Sequence, residues 1–304
     1  MHLPNRVALD SASARNSAIL LMVIAMSIWS LISAPAARAA TPKPVQLTVQ
    51  QACASADYVL IGARGSGDSS NDRYGGLGNV VYSAYQYLTD KLGSRGASIA
   101  AVPVTYPAQA VESLALTLTG NNAYFNGLSQ GVNDLRQSLK TFETWAGCRG
   151  KYLVLIGYSQ GAMVVNRVLQ EPNKNRAVFH SANILIGNGD RYSDDGTRLV
   201  GNAGSKTRGI GFTFPPMSGT KAITLRNTDV VATNVCVDGD IVCAPRLNTI
   251  QPPWWCKAAL NQACSAFWSV IAGADLARQV KLHLSSYAGS SLLRQAIDSE
   301  VDYP

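Results

Sequence analysis

The pattern of apolar and polar positions along the chain predicts strands and helices in alternation. Short apolar runs predict strands at 58–62, 98–105, 152–156, 181–186 and 222–225. Apolar residues at helical spacing predict helices at 80–92, 128–145 and 162–169, and a closing helix at about 292–297. This alternation indicates a parallel sheet covered by helices on both faces, which is an α/β fold. Ligands of such sheets bind at the carboxyl ends of the strands, so functional residues are expected in the loops that follow them.

One of these loops contains the segment Gly157-Tyr158-Ser159-Gln160-Gly161. A G-x-S-x-G segment between a strand and a helix is typical of the nucleophile elbow of α/β-hydrolases, a sharp turn that presents a serine hydroxyl above the sheet. The glycines at both ends allow the backbone and the helix to approach closely. Ser159 is therefore the candidate nucleophile, and the alternative is a glycine-rich turn without a chemical role.

A serine nucleophile needs a base to take its proton and an acid to orient that base. In α/β-hydrolases the chain order is Ser, then Asp or Glu, then His. His180 directly precedes a predicted strand, which places it at the amino end of the sheet. His283 lies downstream, shortly before the last helix, and is the candidate base. The alternative is a surface histidine on a helix over 275–284.

Three aspartates follow the predicted strand at 222–225 and are candidates for the acid: Asp229, Asp238 and Asp240. Asp240 lies between Cys236 and Cys243, where a disulfide closing so short a loop would hold its carboxylate rigidly. We therefore favour Asp240, with Asp229 second. A solvated loop aspartate is the alternative for each.

The N-terminal segment has the pattern of a secretory signal peptide. An apolar stretch from Ala18 to Ile32 is followed by Ala37-Arg38-Ala39, with small residues at the two positions that a signal peptidase reads. We expect residues 1–39 to be removed, and an uncleaved membrane anchor is the alternative. About 265 residues remain, which suits one α/β domain over 40–304.

The remaining composition limits the classes of partner. An even number of cysteines in an exported chain indicates disulfides, here three. We expect no metal site and no cofactor, since no C-x-x-C pair is present and the chain after residue 39 has two histidines. The net charge of +7 includes three arginines and one aspartate of the signal segment, so +5 remains after cleavage. The basic residues are scattered, which disfavours a nucleic-acid site and leaves a mildly cationic surface. The six cysteines are Cys53, Cys148, Cys236, Cys243, Cys256 and Cys264.

These motifs in this order resemble the cutinases, especially the cutinase-like serine esterases secreted by actinobacteria. The resemblance extends from about residue 53 to residue 296, and its motifs are more specific together than singly. Cys53 and Cys148 also stand where that family has its long-range disulfide. The motifs are Ala63-Arg64-Gly65-Ser66, Gly157 to Gly161, the C-x-x-x-D-x-x-C segment from Cys236 to Cys243, and the late His283.

The resemblance implies a disulfide-bonded α/β-hydrolase without the large lid of true lipases. By position in the family, Ser159 is the nucleophile, Asp240 the acid and His283 the base. By the same resemblance, the oxyanion hole consists of the backbone N–H of Gln160 together with Ser66. Fixed donors of this kind lower the barrier to acyl transfer by roughly 3 kcal/mol each.

Two departures from the family pattern stand out. In the family the acid and the histidine lie close in sequence, whereas here residues 244–281 form an extra segment. It contains Pro252-Pro253-Trp254-Trp255 and the pair Cys256 and Cys264, which predicts a partial lid or lipid-contacting flap held by a third disulfide. The alternative is a packed accessory element with buried tryptophans. In addition, Tyr287 follows His283 by four positions, one more than in the family.

The sequence therefore predicts a secreted serine esterase, monomeric, that acts on an acyl ester or lipid substrate and contacts lipid or polyester interfaces transiently. The alternatives are an envelope lipase, phospholipase or thioesterase acting on long-chain acyl lipids, and a catalytically silent lipid-binding protein on the same scaffold. A serine peptidase is a further alternative, which the resemblance disfavours.

Overall fold

The computed structural model describes residues 46–110, 123–171, 176–213, 225, 229–246 and 262–301. The chain divides into two compact units. Of the first, residues 1–39 and 247–278, the structure describes only the helical backbone of 262–278 and some of its side chains. The second, residues 40–246 and 279–304, contains the sheet and all the candidate site residues that the structure describes.

Helices and strands alternate in the second unit as the apolar pattern predicts. The strands are β1 Tyr58–Ala63, β2 Ile99–Pro103, β3 Tyr152–Tyr158, β4 Ser181–Ile186, β5 Arg198–Val200 and β6 Thr233–Val235. The helices are α1 Val49–Ser55, α2 Gly78–Gly93, α3 Ala123–Thr144, α4 Gln160–Leu169, α5 Ile210–Thr213, α6 Gln262–Ser285 and α7 Ser291–Val301.

All six described strands are parallel and lie in the order β2-β1-β3-β4-β6-β5. From β1 the chain passes to β2 on one side and returns to β3 on the other, so the order reverses between β1 and β3. Such a reversal opens a crevice beyond the carboxyl ends of the two strands, which is where open α/β sheets bind their ligands. The loops after β1 and β3 are the two in which the sequence predicts functional serines.

Helices cover both faces of this sheet. Alternate strand residues point to opposite sides, so Val59 and Ile61 of β1 pack with α1, α3 and α4, whereas Leu60 packs with α2 and α7. The strands are buried on both faces, which is why they read in the sequence as continuous apolar runs. The predicted α/β-hydrolase fold is confirmed.

Two disulfides are present in the described part of the chain. Cys53 in α1 is bonded to Cys148 in a 3₁₀ turn ahead of β3, and Cys236 is bonded to Cys243 after β6. The predicted third pair, Cys256 with Cys264, lies outside the residues whose side chains the structure describes. In the same described ranges, no helix is both long and apolar enough to cross a membrane.

The apolar pattern does not predict two of the strands, β5 and β6. The predicted strand at 222–225 falls, except for Leu225, outside the described residues, and the two strands that the structure has in this region are the three-residue β5 and β6. β6 contains Thr233 and Asn234, both buried, and has no apolar run to reveal it.

The start of α4 lies against the end of β1 because residue 161 has no side chain. A Cβ at Gly161 would stand 2.1 Å from the carbonyl oxygen of Ala63, and one at Gly157 would stand 2.3 Å from that of Gly161. Both neighbours are backbone atoms, which cannot move aside as a flexible side chain can. The two glycines of the G-x-S-x-G segment therefore bring the loops after β1 and β3 together.

We expect Gly161→Ala to lower the free energy of unfolding by at least about 2 kcal/mol, since the added methyl group overlaps backbone. Urea denaturation measures this. Gly93→Ala is the matched control, because a Cβ there meets nothing within 4 Å, and it should leave stability unchanged or raise it by up to about 1 kcal/mol. Equal stability of the two variants would contradict the close approach of α4 to β1.

Candidate active site

Ser159 occupies a strained turn between β3 and α4. It is the residue before α4, with φ 56° and ψ −119°, a conformation that a non-glycine residue adopts only where the surroundings hold it. Its N–H donates to the carbonyl of Ile186 at the end of β4 over 2.8 Å. Only 6% of the residue is exposed. These features are those of a nucleophile elbow.

His283 lies in the last turn of α6 and is 7% exposed. Its ring stacks on the ring of Tyr158, with centroids 4.9 Å apart and planes inclined by 16°. The hydroxyl of Tyr158 also donates to the carbonyl of His283 over 2.8 Å. On another side the ring packs on Gly187, where a Cβ would stand 2.9 Å from its Cε1. His283 is thus a helical residue, as the alternative interpretation had it, but a buried one, fixed beside the residue that precedes Ser159.

Asp240 is fully buried and bonded to the His283 ring. Its two carboxylate oxygens lie 3.0 and 2.9 Å from Nδ1 of His283. The N–H groups of Val242 and Cys243 donate to Oδ1 over 2.6 and 3.3 Å, and the hydroxyl of Tyr287 donates to Oδ2. Burial raises the pKa of this carboxyl, but the interactions with His283, Tyr287 and Val242 outweigh burial and lower it overall. The carboxylate therefore stays charged and directs Nε2 of His283 away from itself.

The residues that the sequence singles out meet at one edge of the sheet. Ser66 follows β1, Ser159 follows β3, Gly187 follows β4 and Asp240 follows β6, and these are four adjacent strands. The structure brings Asp240 and His283 into direct contact beside the Ser159 turn. Within the described residues no hydrogen bond joins the Ser159 hydroxyl to His283. In hydrolases without substrate this bond is often long and tightens in the complex.

The loop after β1 is held by the buried side chain of Arg64. Its guanidinium donates to three carbonyl groups, of Asp68 over 2.9 Å, of Val104 over 3.2 Å and of Tyr106. The hydroxyl of Tyr106 donates back to the carbonyl of Arg64. These bonds tie the loop to the segment after β2 and fix the backbone on either side of Ser66.

Two donors near Ser159 remain available for a ligand. The buried Oγ of Ser66 has no hydrogen bond of good geometry in the structure, although the hydroxyl of Tyr124 lies near enough to interact with it. Gln160 is the first residue of α4, so its N–H has no acceptor within the helix. The Gln160 side chain donates to the carbonyl of Tyr124 over 3.2 Å, which holds this residue in place. A helix N-terminus with an adjacent hydroxyl is suited to binding negative charge.

A second carboxyl lies two residues after Ser66. Asp68 accepts a hydrogen bond from the N–H of Gly65 over 3.0 Å and packs on Gly78. Burial raises the pKa of Asp68 to about 6, Asp72 adds to this effect, and the N–H of Gly65 and the Arg64 charge partly offset it. The raised pKa means that the folded protein holds this proton more tightly than the unfolded chain does.

The competing candidates lie elsewhere. Asp229 is exposed and precedes β6, so it is at the amino end of that strand, away from Ser159. Asp238 is partly exposed and forms an ion pair with Arg246. His180 ends a 3₁₀ turn at the amino end of β4. In the described part of the chain, none of the three forms a hydrogen bond or ion pair with Ser159 or His283.

Part of the extra segment lies outside the described residues. This applies to residues 247–261, which include Trp254, Trp255 and Cys256, and to the side chain of Cys264. The flap and the third disulfide therefore stay predictions, as does the signal peptide over 1–39. Among the side chains that the structure describes, no group of three or more His, Cys, Asp or Glu residues could hold a metal ion.

The sequence analysis did not identify three residues that shape the site. Tyr158 and Arg64 lie inside recognised motifs, but they hold neighbouring groups in place, a role that the motifs do not indicate. Tyr287 was noted only for its unusual spacing from His283. Its spacing of four from a helical histidine is one helical turn and could have suggested a shared face.

Comparison with known proteins gives a family match. A family model described as Cutinase matches residues 52–267. The protein named Phospholipase Culp4 of Mycobacterium tuberculosis is 26% identical over 223 residues, which cover 72% of this chain and 81% of that protein. The catalytic core domain of acetyl xylan esterase from Trichoderma reesei is 18% identical, covers 72% of this chain and 98% of its own, and has a TM-score of 0.45. A cutinase-like protein from Cryptococcus sp. is 19% identical, with a TM-score of 0.41 and coverage of 77% and 97%. The family match contains Ser66, Ser159 and Asp240 and ends before His283.

The raised pKa of Asp68 gives a pH-dependent prediction. An ionised Asp68 costs stability, and the cost grows as pH rises from the ordinary value of 3.8 to about 6. We expect Asp68→Asn to melt at a higher temperature than the unmodified protein above pH 6 and at a similar temperature near pH 4. Melting curves between pH 4 and 8 measure the difference.

Asp90→Asn, at an exposed position of α2, is the control and should show no such trend. A constant difference between the Asp68→Asn and unmodified proteins across this pH range would contradict the burial of an ionisable Asp68.

Proposed function

The chain belongs to the cutinase family, a family of carboxylic ester hydrolases, and from this we propose that it is a secreted serine esterase that acts through a Ser159–His283–Asp240 triad. The substrate class is the carboxylic acyl ester. Ser159 is the nucleophile, His283 the general base and Asp240 the acid that orients the base. The hydroxyl of Ser66 and the N–H of Gln160 form the oxyanion hole.

In the acylation step the Ser159 hydroxyl oxygen bonds to the ester carbonyl carbon while His283 takes the hydroxyl proton. The charge that develops on the carbonyl oxygen is stabilised by the two donors of the oxyanion hole. His283 then gives its proton to the departing alcohol oxygen, the carbon–oxygen bond to the alcohol breaks, and an acyl-Ser159 ester remains. Asp240 stabilises the imidazolium that exists between these proton transfers.

Deacylation repeats the same steps with water. His283 takes a proton from water, the hydroxide oxygen bonds to the acyl carbon, and the bond to Ser159 breaks as the proton returns to its oxygen. The carboxylic acid leaves. No metal and no cofactor takes part in this scheme.

The observation that carries the proposal is the buried Asp240–His283 pair beside the Ser159 turn. A charged carboxylate with no exposed surface is costly unless it is bonded on all sides, and here its partners include an imidazole ring. The matched residues 52–267 include both Ser159 and Asp240. A catalytically silent binding protein would have no need to keep such a pair.

A second candidate function is favoured by one relative. The Mycobacterium tuberculosis protein is named a phospholipase, which supports an envelope lipase, phospholipase or thioesterase that acts on long-chain acyl lipids. The tryptophans of residues 244–281 would then contact the chains. The acyl chain length that the enzyme prefers separates the two candidates.

Secretion and interfacial contact complete the proposal. The two disulfides are of the kind that persist outside the reducing cytosol, and the sequence of residues 1–39 supports export. The enzyme is proposed to work as a monomer and to contact lipid or polyester surfaces transiently.

We expect residues 40–304 to hydrolyse p-nitrophenyl esters and Ser159→Ala to abolish this activity while keeping the fold. Acyl chains from two to sixteen carbons, measured with both proteins, give the test. A short-chain optimum supports the open-groove esterase, and a long-chain optimum supports the lipase. Turnover retained in Ser159→Ala would mean that the nucleophile is another residue, and absence of turnover at every length would favour a binding role.

We expect Asp240→Asn to lower kcat by several orders of magnitude, up to about 10⁴-fold, since loss of the orienting acid does so in serine proteases. Asp229→Asn, at an exposed position before β6, serves as control and should retain full activity. Steady-state measurement of kcat for both variants tests which aspartate is the acid. An inactive Asp229→Asn beside an active Asp240→Asn would reverse the assignment of the acid.

A further inference from the structure

Tyr287 touches three parts of the loop that carries Asp240. Its ring is fully buried and lies two residues beyond the end of α6. Its hydroxyl donates to Oδ2 of Asp240, accepts the N–H of Val237 over 3.3 Å and lies 3.5 Å from Sγ of Cys243. The hydroxyl therefore links the tail of the helix that carries His283 to both ends of the disulfide loop.

The direction of the Tyr287 proton follows from its partners. The N–H of Val237 can only donate, so the phenolic oxygen is the acceptor in that bond. The single hydroxyl proton is then available for the carboxylate, which when charged can only accept. A hydrogen bond to a charged acceptor is stronger than one between neutral groups.

The two oxygens of Asp240 are supported unequally. Oδ1 accepts from the N–H groups of Val242 and Cys243, both in the loop itself. For Oδ2 the only donors in the described structure are His283 Nδ1 and the Tyr287 hydroxyl. Without that hydroxyl, Oδ2 would depend on the imidazole alone.

We propose that Tyr287 is a positioning residue of the active site, whose hydroxyl holds Oδ2 of Asp240 and so sets the orientation and the acceptor strength of the carboxylate behind His283. This inference rests on the proposed function. Tyr287 touches neither the substrate nor the reacting atoms and acts only through Asp240. Tyr287 holds the carboxylate of Asp240, as Tyr158 holds the ring of His283.

Removal of the Tyr287 hydroxyl should shift the pH dependence of ester hydrolysis in one direction. Loss of the hydroxyl leaves the carboxylate a stronger acceptor, so it holds the proton on its imidazole partner more tightly. The acid limb of the kcat/KM profile then moves to higher pH. Among the described residues, other ionisable groups near this pair include Tyr158, which stacks on the His283 ring, and Arg191, whose guanidinium lies 3.8 Å from Sγ of Cys236. The ion pair of Asp238 with Arg246 lies beside Gly239 in the same loop. The Tyr287→Phe change leaves all of these side chains in place.

The test is Tyr287→Phe, which deletes the hydroxyl and keeps the ring. Because a hydrogen bond to a charged group is lost, kcat should fall about tenfold to a hundredfold with KM nearly unchanged. The acid limb should move up by about half a pH unit or more. Tyr87→Phe is the matched control, since the Tyr87 hydroxyl also donates to an aspartate, Asp298, over 2.9 Å. It should leave both kcat and the pH profile unchanged.

A double-mutant cycle separates positioning from folding. The readout is the rate at which a fluorophosphonate labels Ser159, in protein shown to be folded by near-ultraviolet circular dichroism. We expect Tyr287→Phe to slow labelling in the unmodified background and to change it less than about threefold in an Asp240→Asn background. An equal slowing in both backgrounds, or labelling and a pH profile like those of the unmodified protein, would overturn the inference.

The labelling assay also distinguishes failure of the proposed function from failure of the proposed role of Tyr287. If the unmodified protein is labelled at Ser159 but hydrolyses no ester, the proposed substrate class fails and the Tyr287 cycle still gives a result. If it is not labelled at all, the triad itself fails and Tyr287 with it. If it hydrolyses esters but Tyr287→Phe behaves like the unmodified protein, only the inference about Tyr287 fails.

Discussion

The charge on Asp240 is the constraint around which the site is organised. A carboxylate with no exposed surface must be bonded on every side, and an unpaired one would destabilise the fold by several kcal/mol. Its donors come from three places: the turn that the Cys236–Cys243 disulfide closes, the last turn of α6, and Tyr287, two residues beyond this helix. The bonds that make the charge tolerable are the same bonds that orient the histidine, so stability and catalytic geometry depend on one cluster.

The parallel sheet explains why residues far apart in sequence meet here. Four adjacent strands end at one edge, and each delivers one element of the site. The order of strands reverses between β1 and β3, where the Ser66 and Ser159 loops face the same crevice. Gly161 lets α4 approach β1 to within backbone contact, so the N-terminus of this helix lies against the backbone at the start of the loop that carries Ser66.

Much of this arrangement could be predicted from the sequence, and the limits have physical reasons. β1, β3 and β4 could be recognised because both of their faces are buried and their residues are therefore apolar. The turn at Ser159 could be recognised because its glycine pattern is local in sequence. β5 and β6 are three residues long, and in β6 the buried Asn234 finds its partner in Thr197, a contact that no local pattern reveals. The sequence favours Asp240 over Asp229 because of its cysteine loop, but their placement at opposite ends of β6 could not be predicted, since this strand has no apolar run. The role of Tyr287 depends on Val237, which is 50 positions away in the sequence.

The contacts of Asp240 also bear on how this chain could acquire its extra segment. The segment begins beside Cys243, whose N–H is bonded to Asp240, and it ends just before His283, which is bonded to the same carboxylate. Residues 244–281, of which 262–281 belong to α6, thus begin and end beside one carboxylate and lie outside the spans closed by the two described disulfides. The entropy of closing a flexible loop grows only with the logarithm of its length, about 0.6 kcal/mol for each doubling. Evolution could therefore lengthen or shorten this stretch, and with it the surface beside the proposed triad, at little cost to the Asp240–His283 contact.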